Sequence, residues 1–75
     1  MTAPAPLVLI IEDEAQMRKF LRASLTSHDY RCIDADRGQL GLELARSHVP
    51  DVIMLDLGLP DMDGLEVTRS LRSWT

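Results

Sequence analysis

A chain of 75 residues holds one domain at most, and a small one, since below ~70–80 residues a single apolar core seldom suffices without staples. Its one cysteine, Cys32, excludes an internal disulfide, and no Cys/His cluster has the spacing of a structural zinc site. A composition of 45% hydrophobic and 27% charged residues excludes wholesale disorder, and the formal charge of −4 argues against a surface for nucleic acid or anionic lipid.

The N-terminus carries no cationic side chain, and Pro4 and Pro6 make residues 1–6 read as a flexible leader. Leu7–Ile11 is a continuous apolar run, the signature of a strand buried on both faces of a parallel sheet. It stops after five residues at Glu12, too short for a signal sequence or a membrane span. With a free thiol, this places the chain in the cytoplasm.

Asp13-Glu14-Ala15-Gln16 resembles a capping box that opens a helix. Met17, Phe20, Leu21, Ser24 and Leu25 then recur on one face, with Arg18, Lys19 and Arg22 toward water, for about three and a half turns ending near Ser27–Asp29. Tyr30–Ala35 alternates, with Ile33 and Ala35 on one side and Asp34 on the other, as an edge strand does. Asp36-Arg37-Gly38-Gln39 repeats the helix-start signal. Leu40, Leu44 and Ala45 line a second helix, weakened by Gly38 and Gly41 and stopped by Pro50. Val52–Leu55 is a further apolar strand ending in Asp56. Residues 57–64 are a loop by their Gly, Pro and Asp content, and a third helix follows with Leu65, Thr68 and Leu71 inward.

Strands alternating with helices predict parallel pairing through right-handed crossovers, a doubly wound α/β layer. In such sheets ligands bind beyond the carboxyl ends of the strands, where strand order reverses. With strand order 2-1-3, Glu12 and Asp13 after the first strand and Asp56 after the third converge in one crevice. Separately, each has a plain reading: Asp13 caps a helix, Glu12 is solvated, and Asp56 is a polar strand end. Together they suit a hard cation such as Mg²⁺, since close like charges raise one another's pKa or recruit a counter-ion.

Ile11-Glu12-Asp13-Glu14 and the stretch from Val52 through Asp56-Leu57-Gly58-Leu59-Pro60-Asp61-Met62-Asp63-Gly64 resemble the receiver domain of two-component response regulators. The Asp-Leu-Gly-Leu-Pro-Asp wording and the end Arg69–Trp74 are most like the KdpE type of the OmpR/PhoB class. The resemblance implies a flavodoxin-like (CheY-like) fold, with Asp56 accepting a phosphoryl group from a sensor histidine kinase. It further implies Mg²⁺ on Asp13, Asp56 and the backbone carbonyl of Gly58, with Glu12 acting through water. Pro60 and Gly64 would shape the loop, and the chain would be a phosphoacceptor signalling module rather than an enzyme.

Receivers have five βα units, and the sequence matches the first three, so residues 7–75 are expected to be a truncated receiver without a DNA-binding domain. The Lys and the Ser/Thr of the family have no counterpart here, since the only lysine, Lys19, falls on the first helix. Direct DNA binding, membrane attachment and signal output are not expected.

Two other functions are weighed beside this one. The third strand would present an apolar edge, so an interaction fragment that self-associates, or pairs with an intact receiver, is the alternative. A Mg²⁺-dependent phosphohydrolase of the haloacid-dehalogenase type wants an Asp two residues after the nucleophile, where this chain has Gly58. An EF-hand fails because Leu59 stands at the first ligand position. Gly38-x-x-Gly41 fits no phosphate-binding fingerprint. His28 and His48 fall at helix C-termini, where the dipole accounts for them, and Cys32 reads as a partly buried strand residue.

Overall fold

The computed structural model describes residues 4–56 together with Asp61, Val67 and Arg69. Its elements run β1 (Leu7–Ile11), α1 (Ala15–Thr26), β2 (Arg31–Ala35), α2 (Gly38–His48) and β3 (Val52–Leu55). The strands form one parallel sheet in the order β2-β1-β3, as the acid-convergence argument requires. Central β1 is covered on both sides: Val8, Leu9, Ile10 and Ile11 are all buried, which explains its unbroken apolar run.

On one face Leu9 and Ile11 pack with Leu42 and Ala45 of α2 and with Val67, the centre of the core. Ile33, Ile53 and Leu55 pack against that cluster. Val67 is helical and fully buried, although the expected inner face of the third helix comprised Leu65, Thr68 and Leu71. Those three lie outside the described residues. At the start of β1 the Asp51 carboxylate accepts the Leu7 N–H at 2.8 Å, and the Asp51 N–H donates back to the Leu7 carbonyl at 2.8 Å. Upstream, the carbonyls of Ala5 and Pro6 accept bonds from the Arg31 side chain and N–H, at 2.8 and 3.0 Å.

The other face differs from expectation. Helix α1 buries no residue fully; Met17 and Phe20, expected inward, are 41% and 66% exposed. Its covered stripe instead runs through Arg18, Leu21 and Leu25, all half-buried. Arginine stems lie along apolar surface while their heads reach the polar strand ends. Arg22 is exposed, as expected, and from there donates to the Cys32 carbonyl at 3.1 Å and pairs with Asp34 at 3.2 Å. Lys19 is exposed and Cys32 half-buried.

Neither expected capping box closes. The N-cap of α1 is Glu14 and that of α2 is Arg37, and neither makes a side-chain cap bond. Asp13 turns to the other acids at the sheet edge, and Asp36 is taken by Arg37 at 3.0 Å. In α2 the buried positions are Gly38, Gly41, Leu42 and Ala45, while Leu40 is 37% exposed. Gly41, read from sequence as a weakness, lets the helix approach β1: a Cβ there would lie 2.5 Å from Ile11 Cδ1. The helix ends at His48 as Pro50 demands, with Val49 at φ 46°. At the end of α1, His28 Nδ1 lies 2.8 Å from the Ser24 carbonyl, so that nitrogen carries the proton and serves the helix terminus.

Candidate functional site

Strand register sets the acids side by side. Ile11 is opposite Leu55, and the ladder continues one residue further: the Asp56 N–H donates to the Ile11 carbonyl at 2.9 Å, and the Glu12 N–H to Ala35 at 3.0 Å. Glu12 and Asp56 therefore leave the sheet edge together. By strand alternation they share the α1 side with Ile10 and Met54. With these and Leu21 they line a hollow of about 270 Å³.

Glu12, Asp13 and Asp56 each place a carboxylate oxygen within 4.8 Å of the others; Glu12 and Asp56 are half-buried and Asp13 is exposed. Glu12 accepts the Glu14 N–H at 3.0 Å. That bond favours its charged form, but burial and the carboxyls of Asp13 and Asp56 outweigh it and hold its pKa above the ordinary glutamate value. A divalent cation held by these oxygens would remove the repulsion that raises Glu12.

Two residues not read as part of the site support it. Arg18 Nη1 donates to the carbonyls of Glu12 and Asp13, at 3.0 and 3.1 Å, and so clamps the main chain that carries the acid pair. Its position in the first turn of the helix that follows the acids, six and five residues after Glu12 and Asp13, is the sequence signal that could have found it. Asp61 accepts the N–H groups of Gly38 and Gln39, at 2.6 and 2.9 Å. The bond from Gln39, with that from Gly38, holds its carboxyl below the usual aspartate value. No local pattern announces a cap supplied from 23 residues away. Gly58, Pro60 and Gly64 lie outside the described residues. Among the described residues no helix is long and apolar enough to cross a membrane.

Residues 8–75 match the model of the response regulator receiver domain. The chain is 50% identical over 68 residues to the transcriptional regulatory protein KdpE of Mycobacterium tuberculosis, covering 91% of this chain and 30% of that protein. Among solved structures, the response regulator TrrA of Thermotoga maritima in complex with Mg²⁺-BeF superposes with a TM-score of 0.90 at 28% identity, over 93% of this chain and 61% of that one. A second match is the complex of the histidine kinase ThkA with TrrA, with a TM-score of 0.88 at 28% identity over 93% and 60% of the two chains. The chain thus spans less than a third of the curated relative's length and about three-fifths of the solved receivers. With a three-stranded 2-1-3 parallel sheet and acids converging at its carboxyl edge, this chain belongs to the response regulator receiver domain family.

Proposed function

We propose that Asp56 accepts a phosphoryl group from the phosphohistidine of a sensor histidine kinase, with Mg²⁺ held by the carboxylates of Asp13 and Asp56 and the carbonyl of Gly58. Glu12 acts on the metal through water. The observation that carries this reading is the convergence of three carboxylate oxygens within 4.8 Å of one another, a donor set that fits Mg²⁺. The kinase complex of TrrA and its Mg²⁺-BeF complex support the same donor class and metal for this relative.

In the transfer, an Asp56 carboxylate oxygen attacks phosphorus, a P–O bond forms as the P–N bond breaks, and the electron pair leaves with the imidazole nitrogen. Mg²⁺ supplies neutralisation of the negative charge shared by the carboxylate and the phosphoryl oxygens. The chain's own part is positional. Ile11 fixes the main chain of Asp56, and Arg18 fixes that of Glu12 and Asp13. Pro60 and Gly64 shape the loop that follows the acceptor, since proline fixes φ and glycine relieves a turn. We assign this acceptor chemistry to residues 7–75.

Titration of Mg²⁺ into the protein, followed by NMR, is expected to shift the signals of Glu12, Asp13 and Asp56 with one saturable affinity. A diffuse response spread over surface acids such as Glu43 and Asp29 overturns the metal assignment.

A second reading rests on β3, which among the described residues pairs only with β1 and has Val52 and Met54 48% and 36% exposed. Such an edge favours pairing with a second copy or an intact receiver. A monomer at all concentrations in sedimentation equilibrium removes it.

A further inference from the structure

Asp61 is joined to the acceptor Asp56 by residues 57–60, and both ends of that connection are tied. Asp56 donates its N–H to the carbonyl of Ile11 at 2.9 Å. Asp61 accepts from two successive amides at the start of α2, at 2.6 and 2.9 Å. Helix α2 has no side-chain cap of its own, although Arg37 at its N-cap holds the extended backbone (φ −155°, ψ 164°) in which a Ser or Asp could cap it locally. Gly38 is buried, so its N–H needs the partner that Asp61 provides. A helix that could be capped from its own sequence is capped instead from the acceptor loop.

We infer that Asp61 is a positioning residue for phosphoryl acceptance: by bonding the amides of Gly38 and Gln39 it ties the chain five residues beyond the acceptor to the start of α2, and so restrains the Asp56 carboxylate. The inference rests on the reading of Asp56 and Mg²⁺ given above. Helix capping is the lesser role it must be separated from, and the empty N-cap of α2 allows the separation.

The test compares wild type, Asp61→Ala, Asp61→Asn and the double variant Asp61→Ala/Arg37→Ser, in which a local serine replaces the cap but not the tie. Asp61→Ala is expected to weaken Mg²⁺ binding by up to about tenfold, no more than the loss of a group bonded directly to a metal ligand costs. Asp61→Asn, which keeps an acceptor oxygen, should recover part of that loss. In the double variant thermal stability should return while Mg²⁺ affinity stays low and the Asp56 amide exchanges faster with solvent than in wild type. If Mg²⁺ affinity returns together with stability, or if Asp61→Ala binds Mg²⁺ as wild type does, Asp61 is only a helix cap and the inference is overturned. A wild type that binds no Mg²⁺ sinks the proposed function instead; in that case faster exchange of the Asp56 amide in the double variant still upholds the tie, and unchanged exchange refutes it.

Discussion

Asp13→Asn is expected to stabilise the metal-free protein while weakening Mg²⁺ binding by more than the roughly 10–100-fold that loss of an outer partner costs. The two effects have one origin. Three carboxylate oxygens lie within 4.8 Å of one another, and a pair of unit charges at such a distance repels by about 1 kcal/mol in water-like surroundings. Asp13 is exposed, so the water-like figure is the relevant one. Removing its charge therefore relieves the metal-free fold by about 1 kcal/mol, worth roughly 4–8 °C in Tm for a chain of this size.

Glu12 reports the same repulsion. Its folded pKa is raised despite the bond from Glu14, because burial and the Asp13 and Asp56 carboxyls disfavour its charge. It thus holds its proton more tightly when folded than when unfolded. The resulting stabilisation is complete below the ordinary glutamate pKa and is lost as pH rises through the raised one. In Asp13→Asn that loss should shrink, as saturating Mg²⁺ should also make it do in the wild type. Thermal unfolding across this pH range, with and without Mg²⁺, checks both. Unchanged metal-free stability in Asp13→Asn would mean the three acids do not act on one another.

Gly41→Ala is expected to destabilise the protein even though alanine is the better helix former. Alanine gains about 1 kcal/mol in helix propensity over glycine. Against that, the added Cβ would lie 2.5 Å from Ile11 Cδ1 and 2.8 Å from its Cγ1. Cδ1 can swing aside, but Cγ1 moves only if the stiff χ1 of a β-branched side chain turns or the helix retreats. Ile11 is fully buried, and overpacking at such a site costs about 1–3 kcal/mol. The net expectation is a loss of about 1 kcal/mol.

The consequence reaches the site, since Ile11 directly precedes Glu12 and its carbonyl holds the Asp56 N–H. Mg²⁺ affinity should therefore fall with stability. In an Ile11→Val background, which removes Cδ1 but keeps the Cγ1 contact, most of the penalty of Gly41→Ala should remain, as a double-mutant cycle in urea measures. A neutral or stabilising Gly41→Ala contradicts this packing account.

What the sequence made legible was whatever depends on runs and ends. The uninterrupted Leu7–Ile11 run specified a central strand, and β1 is indeed paired on both sides and buried. Given the 2-1-3 order, the meeting of Glu12, Asp13 and Asp56 followed from the acids standing at strand termini. What stayed hidden depended on partners distant in sequence. Arg18 carries a polar label, yet it is half-buried with its guanidinium on the carbonyls of Glu12 and Asp13, while Met17 and Phe20 are exposed. Asp13 and Asp36 looked like helix caps, but Asp13 stands with Glu12 and Asp56, and Arg37 takes the Asp36 carboxylate. Asp61 read only as a loop residue, because its partners belong to the helix before β3.

The central claim, that Asp56 takes the phosphoryl group, is tested most directly by intact-mass and peptide mapping after incubation with acetyl phosphate and Mg²⁺. The expected result is one hydroxylamine-labile phosphoryl adduct on Asp56, dependent on Mg²⁺ and lost in Asp56→Ala. Equal labelling of wild type and Asp56→Ala would contradict it.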